Sequence, residues 1–307
     1  MLTISFVVAV YRNAGTIIPT YEQIKHLFSD ALTSFKYEVI FVDDGSDDNS
    51  LAEILQIREL DSNVKALSFA RNFGQLAAIT AGLKYATGDA VVNVSADLQD
   101  PIKLVSEMVS HWQKGSDLVV CHRTQRSDPF SARLFSRIAY GILKWSIPKL
   151  PAGGFDFVLM SRGVLKTLNE IEVRNRFFQA DLLWASYRTT FIPYTRLART
   201  IGKSQFGFLK KIKLFLDAFL DASYLPIRAI SCLGLFTSAA GFIYAIAVAI
   251  SRLLHDTPFV GYAPLMIVSL IVGGLNLTML GIVGEYIWRI YDEVRKKPSY
   301  LIQSEYL

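Results

Sequence analysis

The sequence predicts an α/β protein built on a doubly wound, mostly parallel sheet, followed by a two-helix transmembrane hairpin. Three features predict it. Apolar runs of strand length alternate with segments of helical period from Ile4 to Cys121. The carboxyl ends of these runs open into polar loops, two of them rich in acids. Two stretches near the carboxyl terminus carry no charge over lengths that suit a bilayer. Alternation of strand and helix implies a parallel sheet with both faces covered.

The elements follow in order. Ile4–Val10 (ISFVVAV) is a strand buried on both faces, with Tyr11, Arg12 and Asn13 as the loop at its carboxyl end. Helical periodicity covers Ile18–Leu32. Tyr37–Val42 is the second strand and runs into Asp43, Asp44, Gly45 and Ser46. Asn49 and Ser50 offer a cap for a helix over Leu51–Leu60. Val64–Phe69 is a short third strand and Gln75–Ala86 a helix. Ala90–Val94 is the central strand, within the stretch GDAVVNVSADLQDP from Gly88 to Pro101. Pro101 opens a helix reaching about Lys114, since proline suits a first helical turn. Asp117–Cys121 is the next strand.

The carboxyl-terminal part reads as membrane. Lys210, Lys211 and Lys213 punctuate an apolar helical pattern, the mark of an interfacial helix. Ala229–Ser251 is uncharged for about 23 residues, or ~34 Å at ~1.5 Å per residue, against a ~30 Å hydrocarbon core. A second apolar run begins at Pro264 and is uncharged to Gly284, with Glu285 where it emerges. The expected organisation is an α/β domain over residues 1–204, an interfacial amphipathic helix over 205–228, and two transmembrane helices within 229–288 (about 229–251 and 264–287). A cytoplasmic tail would fill 289–307. Lys210, Lys211, Lys213 and Arg228 precede the hairpin, and Arg289, Arg295, Lys296 and Lys297 follow it. The positive-inside rule therefore places both ends and the α/β domain in the cytoplasm, with the chain multi-pass in an inner or plasma membrane. Gly273, Gly274, Gly281 and Gly284 allow close helix packing, within one chain or between copies in a homo-oligomer.

Composition agrees. Of 307 residues, 51% are hydrophobic, and mean hydropathy is +0.31, high for a soluble protein. Net charge is +5, which suits an anionic membrane face; nucleic acid would explain the charge but not the two spans. Two cysteines, Cys121 and Cys232, give neither a disulfide framework nor zinc spacing. Met1–Val10 lacks a basic region and a small-residue cleavage site, so it reads as a strand and not a secretory signal.

Ligands of open α/β sheets bind beyond the carboxyl ends of strands. Asp43–Asp44 and Asp97–Leu98–Gln99–Asp100 both fall there, and oxygen-rich loops of this kind suit magnesium or manganese. The same residues also suit tight turns or a helix cap. A glycine-rich phosphate loop is absent from the sequence.

The order of the first loop, VDDGS, RNFGQLAAITAGL and SADLQDP resembles family 2 glycosyltransferases of GT-A fold. It is most similar to the group acting on polyprenyl phosphates, dolichyl or undecaprenyl, and the resemblance covers nearly the whole chain. It implies a membrane-bound, inverting transfer of a sugar from a UDP- or GDP-linked donor to a polyprenyl phosphate, with a divalent metal. Ala9, Tyr11, Asp43, Asp44 and Ser95 would contact the donor nucleotide and diphosphate, and Asp97 and Gln99 the metal. Arg196, Arg199, Gly202, Lys203 and Ser204 match a stretch whose basic residues hold the diphosphate, here Arg199 and Lys203. Arg123, Arg126, Arg133, Ser136 and Arg137 would hold the lipid phosphate; a solvated helix face is the alternative for this run. Asp97 and Asp156 would be the catalytic carboxylates, Asp156 positioning before it acts as a base; Asn175, Arg176 and Gln179 would line the sugar pocket. The chain departs from the family pattern at Ser95, where relatives usually carry an acid, and at Asn13, where many carry glutamate in the first loop. The alternatives are a polysaccharide synthase acting on a sugar hydroxyl and a membrane scaffold with a degenerate transferase domain.

Overall fold

The computed structural model describes residues 1–125, 147–151, 154–171, 177–185, 187–196, 225–253 and 263–307, together with Gly141 and Lys144. The chain forms two compact units. One comprises Met1–Ala222 with Pro298–Leu307, the other Ser223–Lys297.

The first unit is organised by one eight-stranded sheet. Its strands are β1 (Thr3–Val10), β2 (Lys36–Asp43), β3 (Val64–Phe69), β4 (Ala90–Ser95), β5 (Leu118–Gln125), β6 (Phe157–Ser161), β7 (Thr189–Thr195) and β8 (Ile302–Tyr306). Their order is β7-β5-β6-β4-β1-β2-β3-β8. The block β3-β2-β1-β4 is parallel, as the alternation predicts. β6 enters antiparallel between β4 and β5, and β7 then lies parallel to β5. The sheet is thus mixed, with a parallel half and an inserted antiparallel strand. β7 is an edge, which is where its Pro193 is tolerated.

β1 shows why the apolar runs are continuous. Ile4, Phe6, Val8 and Val10 join a cluster on one face, and Val7 joins the cluster on the other. The first cluster is completed by α1 (Ile17–Asp30), α2 (Ser50–Leu60) and α4 (Leu104–Gln113), through residues such as Ile24, Ile54 and Met108. The second takes α3 (Gln75–Tyr85), α5 (Arg162–Glu170) and α6 (Phe178–Trp184), through Ile79, Leu165 and Leu182. Each such side chain removed from water contributes ~1.5–3 kcal/mol. At Gly82 a Cβ would stand 2.4 Å from Val7 Cγ1, so α3 rests directly on the sheet there.

Two local expectations are corrected. Asn49 makes no side-chain cap to α2; Asp48 Oδ1 accepts from Ser50 N at 3.0 Å instead. Pro101 lies in a turn ahead of α4, its carbonyl accepting from Leu104 N at 2.9 Å. The sequence pattern predicts no strand after the two long helices. β8 pairs antiparallel with β3, Tyr300 stacks on Phe69 at 5.1 Å, and Arg58 donates to Leu307 O at 2.6 Å.

The second unit holds α7 (Leu225–Leu253, 29 residues) and α8 (Ala263–Val294, 32 residues). Each contains a window long and apolar enough to cross a membrane, Ile227–Tyr244 and Ile271–Val294. The two helices touch at Gly234, where a Cβ would meet Met279 Cε at 2.7 Å. Glu285 faces Arg289 one turn on at 3.3 Å. Leu235, Phe236, Leu277 and Leu280 are exposed along the helices.

Candidate active site

The carboxyl ends of β1, β2, β4, β5 and β7 and the amino end of β6 lie along one edge of the sheet. The predicted acidic loops therefore meet there.

Asp43 ends β2 and is buried, accepting from Ser46 N and Ser68 Oγ, each at 3.2 Å. Asp44 is also buried, and its two oxygens accept from Phe73 N at 2.6 Å and Gly74 N at 2.9 Å. It therefore ties the RNFG loop, just ahead of α3, to β2. Burial pushes its carboxyl pKa up, against the pull of these two N–H groups. Gly45, at φ +66°, lets the chain pass close under this loop; a Cβ there would stand 2.5 Å from Arg71 C. In the first loop, Arg12 forks onto Asp47 with two contacts of 2.6 Å, and Asn13 Oδ1 accepts from Tyr11 N at 3.0 Å. Ala9 lies opposite Val42 and Ser95 in the neighbouring strands.

The β4 loop is fixed by its own carboxylates. Ser95 Oγ donates to Asp97 Oδ1 at 2.6 Å, and Gln99 N reaches the same oxygen at 3.2 Å across Leu98, whose φ is +60°. Arg196 Nη2 stands 3.7 Å from Asp97 Oδ2. Asp100 is buried, accepting from Ser95 N at 3.1 Å and from Tyr194 OH at 3.1 Å. Burial raises its carboxyl pKa, with Arg196 opposing.

Asp156 precedes β6. Its Oδ2 accepts from Arg123 Nη2 at 2.9 Å, its Oδ1 faces Gln179 Nε2 at 3.4 Å, and its backbone oxygen accepts from Asn93 Nδ2 at 2.8 Å. Gln179 Nε2 also donates to Phe155 O at 2.6 Å. Burial disfavours the Arg123 guanidinium, but Asp156 and a hydrogen bond with Tyr194 raise its pKa on balance. Tyr194 is itself pushed up, first by burial and then by Asp100.

Of the predicted site residues, Asp43, Asp44, Ser95, Asp97, Gln99, Arg123, Asp156 and Gln179 are thus brought to one sheet edge with Ala9 and Tyr11. Arg126, Arg133, Ser136, Arg137, Asn175, Arg176, Arg199 and Lys203 lie outside the described residues. Tyr194 and Asn93 are structural members of the site that carried no predicted role, and Asp100, expected in the ligand-facing acidic loop, instead accepts from Ser95 N and Tyr194 OH. The alternation of FIPYT in β7 is the signal that turns Tyr194 inward.

Asp97, Ser95 and Gln99 offer a carboxylate, a hydroxyl and an amide, all hard oxygen donors that fit magnesium or manganese. No group of three or more His, Cys, Asp or Glu side chains placed to hold a metal occurs among the described residues.

The sequence matches Glycosyl transferase family 2 over residues 5–168. An uncharacterized glycosyltransferase of Bacillus subtilis (strain 168) is 36% identical over 307 residues, spanning 98% of this chain and 94% of that protein. A bactoprenol glucosyl transferase of Shigella phage SfII is 35% identical over 309 residues, 99% of each chain. Among solved structures, a mycobacterial protein aligns with a TM-score of 0.52 and 20% identity, over 72% of this chain and 75% of that one.

Proposed function

Because the chain belongs to glycosyl transferase family 2, with the GT-A fold, we propose that it transfers a sugar from a nucleotide-sugar donor to a membrane polyprenyl phosphate. The observation that carries this reading is the convergence of the Asp43–Asp44, Ser95–Asp100 and Asp156 segments on one sheet edge. The relatives named bactoprenol glucosyl transferase, alike over nearly their whole length, support undecaprenyl phosphate as the acceptor.

An acceptor phosphate oxygen attacks the anomeric carbon; a new C–O bond forms as the bond to the donor diphosphate breaks, and the electron pair leaves with the diphosphate. Direct displacement inverts the anomeric centre. A phosphate monoester has a second pKa of about 6, so the nucleophile is already ionised at neutral pH and needs no general base. Asp156 therefore acts by position and charge, facing the developing positive sugar. Asp97, with Ser95 and Gln99, would hold the divalent cation, which when bound neutralises charge on the departing diphosphate. Arg199 and Lys203 would add positive charge at the same group.

The catalytic unit would be cytoplasmic, anchored by α7 and α8 as a hairpin. Two long apolar helices, α7 and α8, support a pair of crossings that returns the chain to the same face. Arg228 flanks one end and Arg289, Arg295, Lys296 and Lys297 the other, in keeping with a cytoplasmic face. A domain boundary near residue 204, an interfacial helix over 205–228 and homo-oligomers through the glycine-rich face of α8 belong to the same reading.

The test is transfer of labelled sugar from a panel of UDP- and GDP-sugars to undecaprenyl phosphate by the full chain in liposomes, with Asp97→Ala as control. Transfer that requires Asp97 and the lipid phosphate is expected. Unchanged transfer by Asp97→Ala would contradict the assigned metal site.

A further inference from the structure

We propose that Tyr300, on the segment leading into β8, is a positioning residue for the loop that holds the donor-side carboxylate Asp44. The proposal rests on the transfer reading above, in which Asp44 faces the nucleotide, and adds to it a residue from downstream of both long helices.

Three contacts in a row connect the two residues. Tyr300 lies face to face with Phe69, ring centroids 5.1 Å apart and planes 9° from parallel. Phe69, 1% exposed, meets Phe73 edge-on at 5.8 Å. Phe73 N donates to Asp44 Oδ1 at 2.6 Å, and Gly74 N donates to Oδ2 at 2.9 Å. Offset-parallel and edge-to-face pairs are the arrangements that aromatic rings prefer, so both ring contacts are favourable. A ring as buried as Phe69 moves only when a neighbour gives way, and Tyr300 is the neighbour supplied by the tail.

The main chain of the loop is suspended between the same two partners. Ala70 N donates to Leu301 O at 3.1 Å, and the next bonded N–H groups are the two on Asp44. The β3–β8 ladder also shifts register between Ser68 and Phe69. Irregularities of this kind bend a strand and re-aim its side chains. Here the shift separates Ser68, whose Oγ donates to Asp43 Oδ2 at 3.2 Å, from Phe69, whose ring supports Phe73. The tail therefore meets β3 at the point where that strand reaches both donor-side carboxylates.

The other anchors of the tail lie away from this loop. Tyr306 pairs with Ala66 and packs into the cluster on the opposite face of the sheet from Tyr300. Glu305 accepts from Tyr85 OH at 2.6 Å, at the carboxyl end of α3. Truncating Tyr306 loosens β8 without removing a ring from the Phe69–Phe73 pair, which makes it a matched control.

The experiment compares Tyr300→Ala, Tyr300→Phe and Tyr306→Ala in the full chain in lipid nanodiscs. Calorimetric titration with UDP and with GDP, each with Mn²⁺, reads donor-side affinity. Amide hydrogen exchange at Phe73 and Gly74 reads the seat of the loop, and thermal unfolding reads stability. Tyr300→Ala is expected to weaken binding of whichever nucleotide the parent chain takes by about three- to ten-fold, the worth of one aromatic pair, and to speed exchange at the two amides by a similar factor. Tyr300→Phe, which keeps the ring, is expected to restore both. Tyr306→Ala is expected to lower the melting temperature while binding and exchange stay within about two-fold of the parent. Unchanged exchange at Phe73 and Gly74 in Tyr300→Ala, or equal changes in the two alanine variants, would overturn the proposal. A parent chain that binds neither nucleotide would sink the transfer reading, and the exchange comparison would still decide whether Tyr300 holds the loop.

Discussion

Arg196 Nη2 stands 3.7 Å from Asp97 Oδ2, while Ser95 Oγ holds the other oxygen of the same carboxylate at 2.6 Å. The first distance is too long for a direct hydrogen bond, so the guanidinium acts on Asp97 through charge. Asp97 is buried, and the nearby guanidinium offsets part of the cost of burying its charge.

Replacing Ser95 by aspartate would put a second carboxylate beside Asp97. The expected outcome of Ser95→Asp is tighter binding of Mn²⁺ in the presence of a nucleoside diphosphate, on the order of ten-fold, because charge count tunes affinity at oxygen sites. Isothermal calorimetry measures it. Unchanged or weaker Mn²⁺ affinity would argue against placing the metal at this loop.

Gly45→Ala introduces a Cβ 2.5 Å from the backbone of Arg71 at a residue with φ +66°. The left-handed conformation alone costs about 1–2 kcal/mol for a non-glycine residue, and the clash adds to it. The 71–74 loop must shift, and with it the N–H groups that satisfy Asp44. Differential scanning calorimetry should show a melting temperature lowered by several degrees, since ~1 kcal/mol corresponds to ~2–4 °C at this size. Calorimetric titration should show weaker nucleoside diphosphate binding.

Glu38 gives a pH prediction. It is buried, and burial alone would raise its pKa, but Lys65, Ser5 and Thr87 together hold it below its ordinary value of 4.5. Lys65 Nζ lies 2.7 Å from Oε1, Thr87 N lies 2.9 Å from Oε2, and Ser5 Oγ donates to Oε2. A depressed carboxylate contributes stability that is present above its unfolded pKa and lost as pH falls through its folded pKa. Glu38→Gln should therefore lower the melting temperature most at neutral pH. The gap from the parent protein should narrow below pH 4.5. A gap that stays constant across that range would show that the ionised form is not what stabilises this edge.

Tyr300→Ala removes the ring stacked on Phe69, which in turn meets Phe73 edge-on at 5.8 Å. Phe73 supplies one of the N–H groups on Asp44. The expected loss is ~2 kcal/mol, from the buried part of the ring plus the aromatic pair. It should appear in chemical denaturation of the full chain, with faster proteolysis near residues 70–74. Wild-type stability in this variant would show that the carboxyl-terminal segment is only loosely seated.

The parallel half of the sheet was readable because each of its strands is a continuous apolar run followed by a helical period. β6 was hidden inside GGFDFVLMSR, where nothing local says that a strand turns antiparallel and inserts between β4 and β5. β7 and β8 alternate in exposure and lie at sheet edges, so their sequences are half polar and pattern alone does not single them out. The same limit applies to the site. Asp43, Asp44 and Asp97 were legible as loops at strand ends. The pairing of Arg123 with Asp156 was not, because it depends on the register that sets Cys121 opposite Phe157.

β8 lies downstream of both long helices in the chain, yet it covers the outer edge of β3. A ribosome releases Ile302–Tyr306 only after α7 and α8 have emerged, so during synthesis β3 waits with an open edge, a surface that invites pairing with other chains. Completion of the sheet is thereby timed to follow synthesis of the two long helices. A prematurely terminated product would have an unfinished sheet, with the edge of β3 left open.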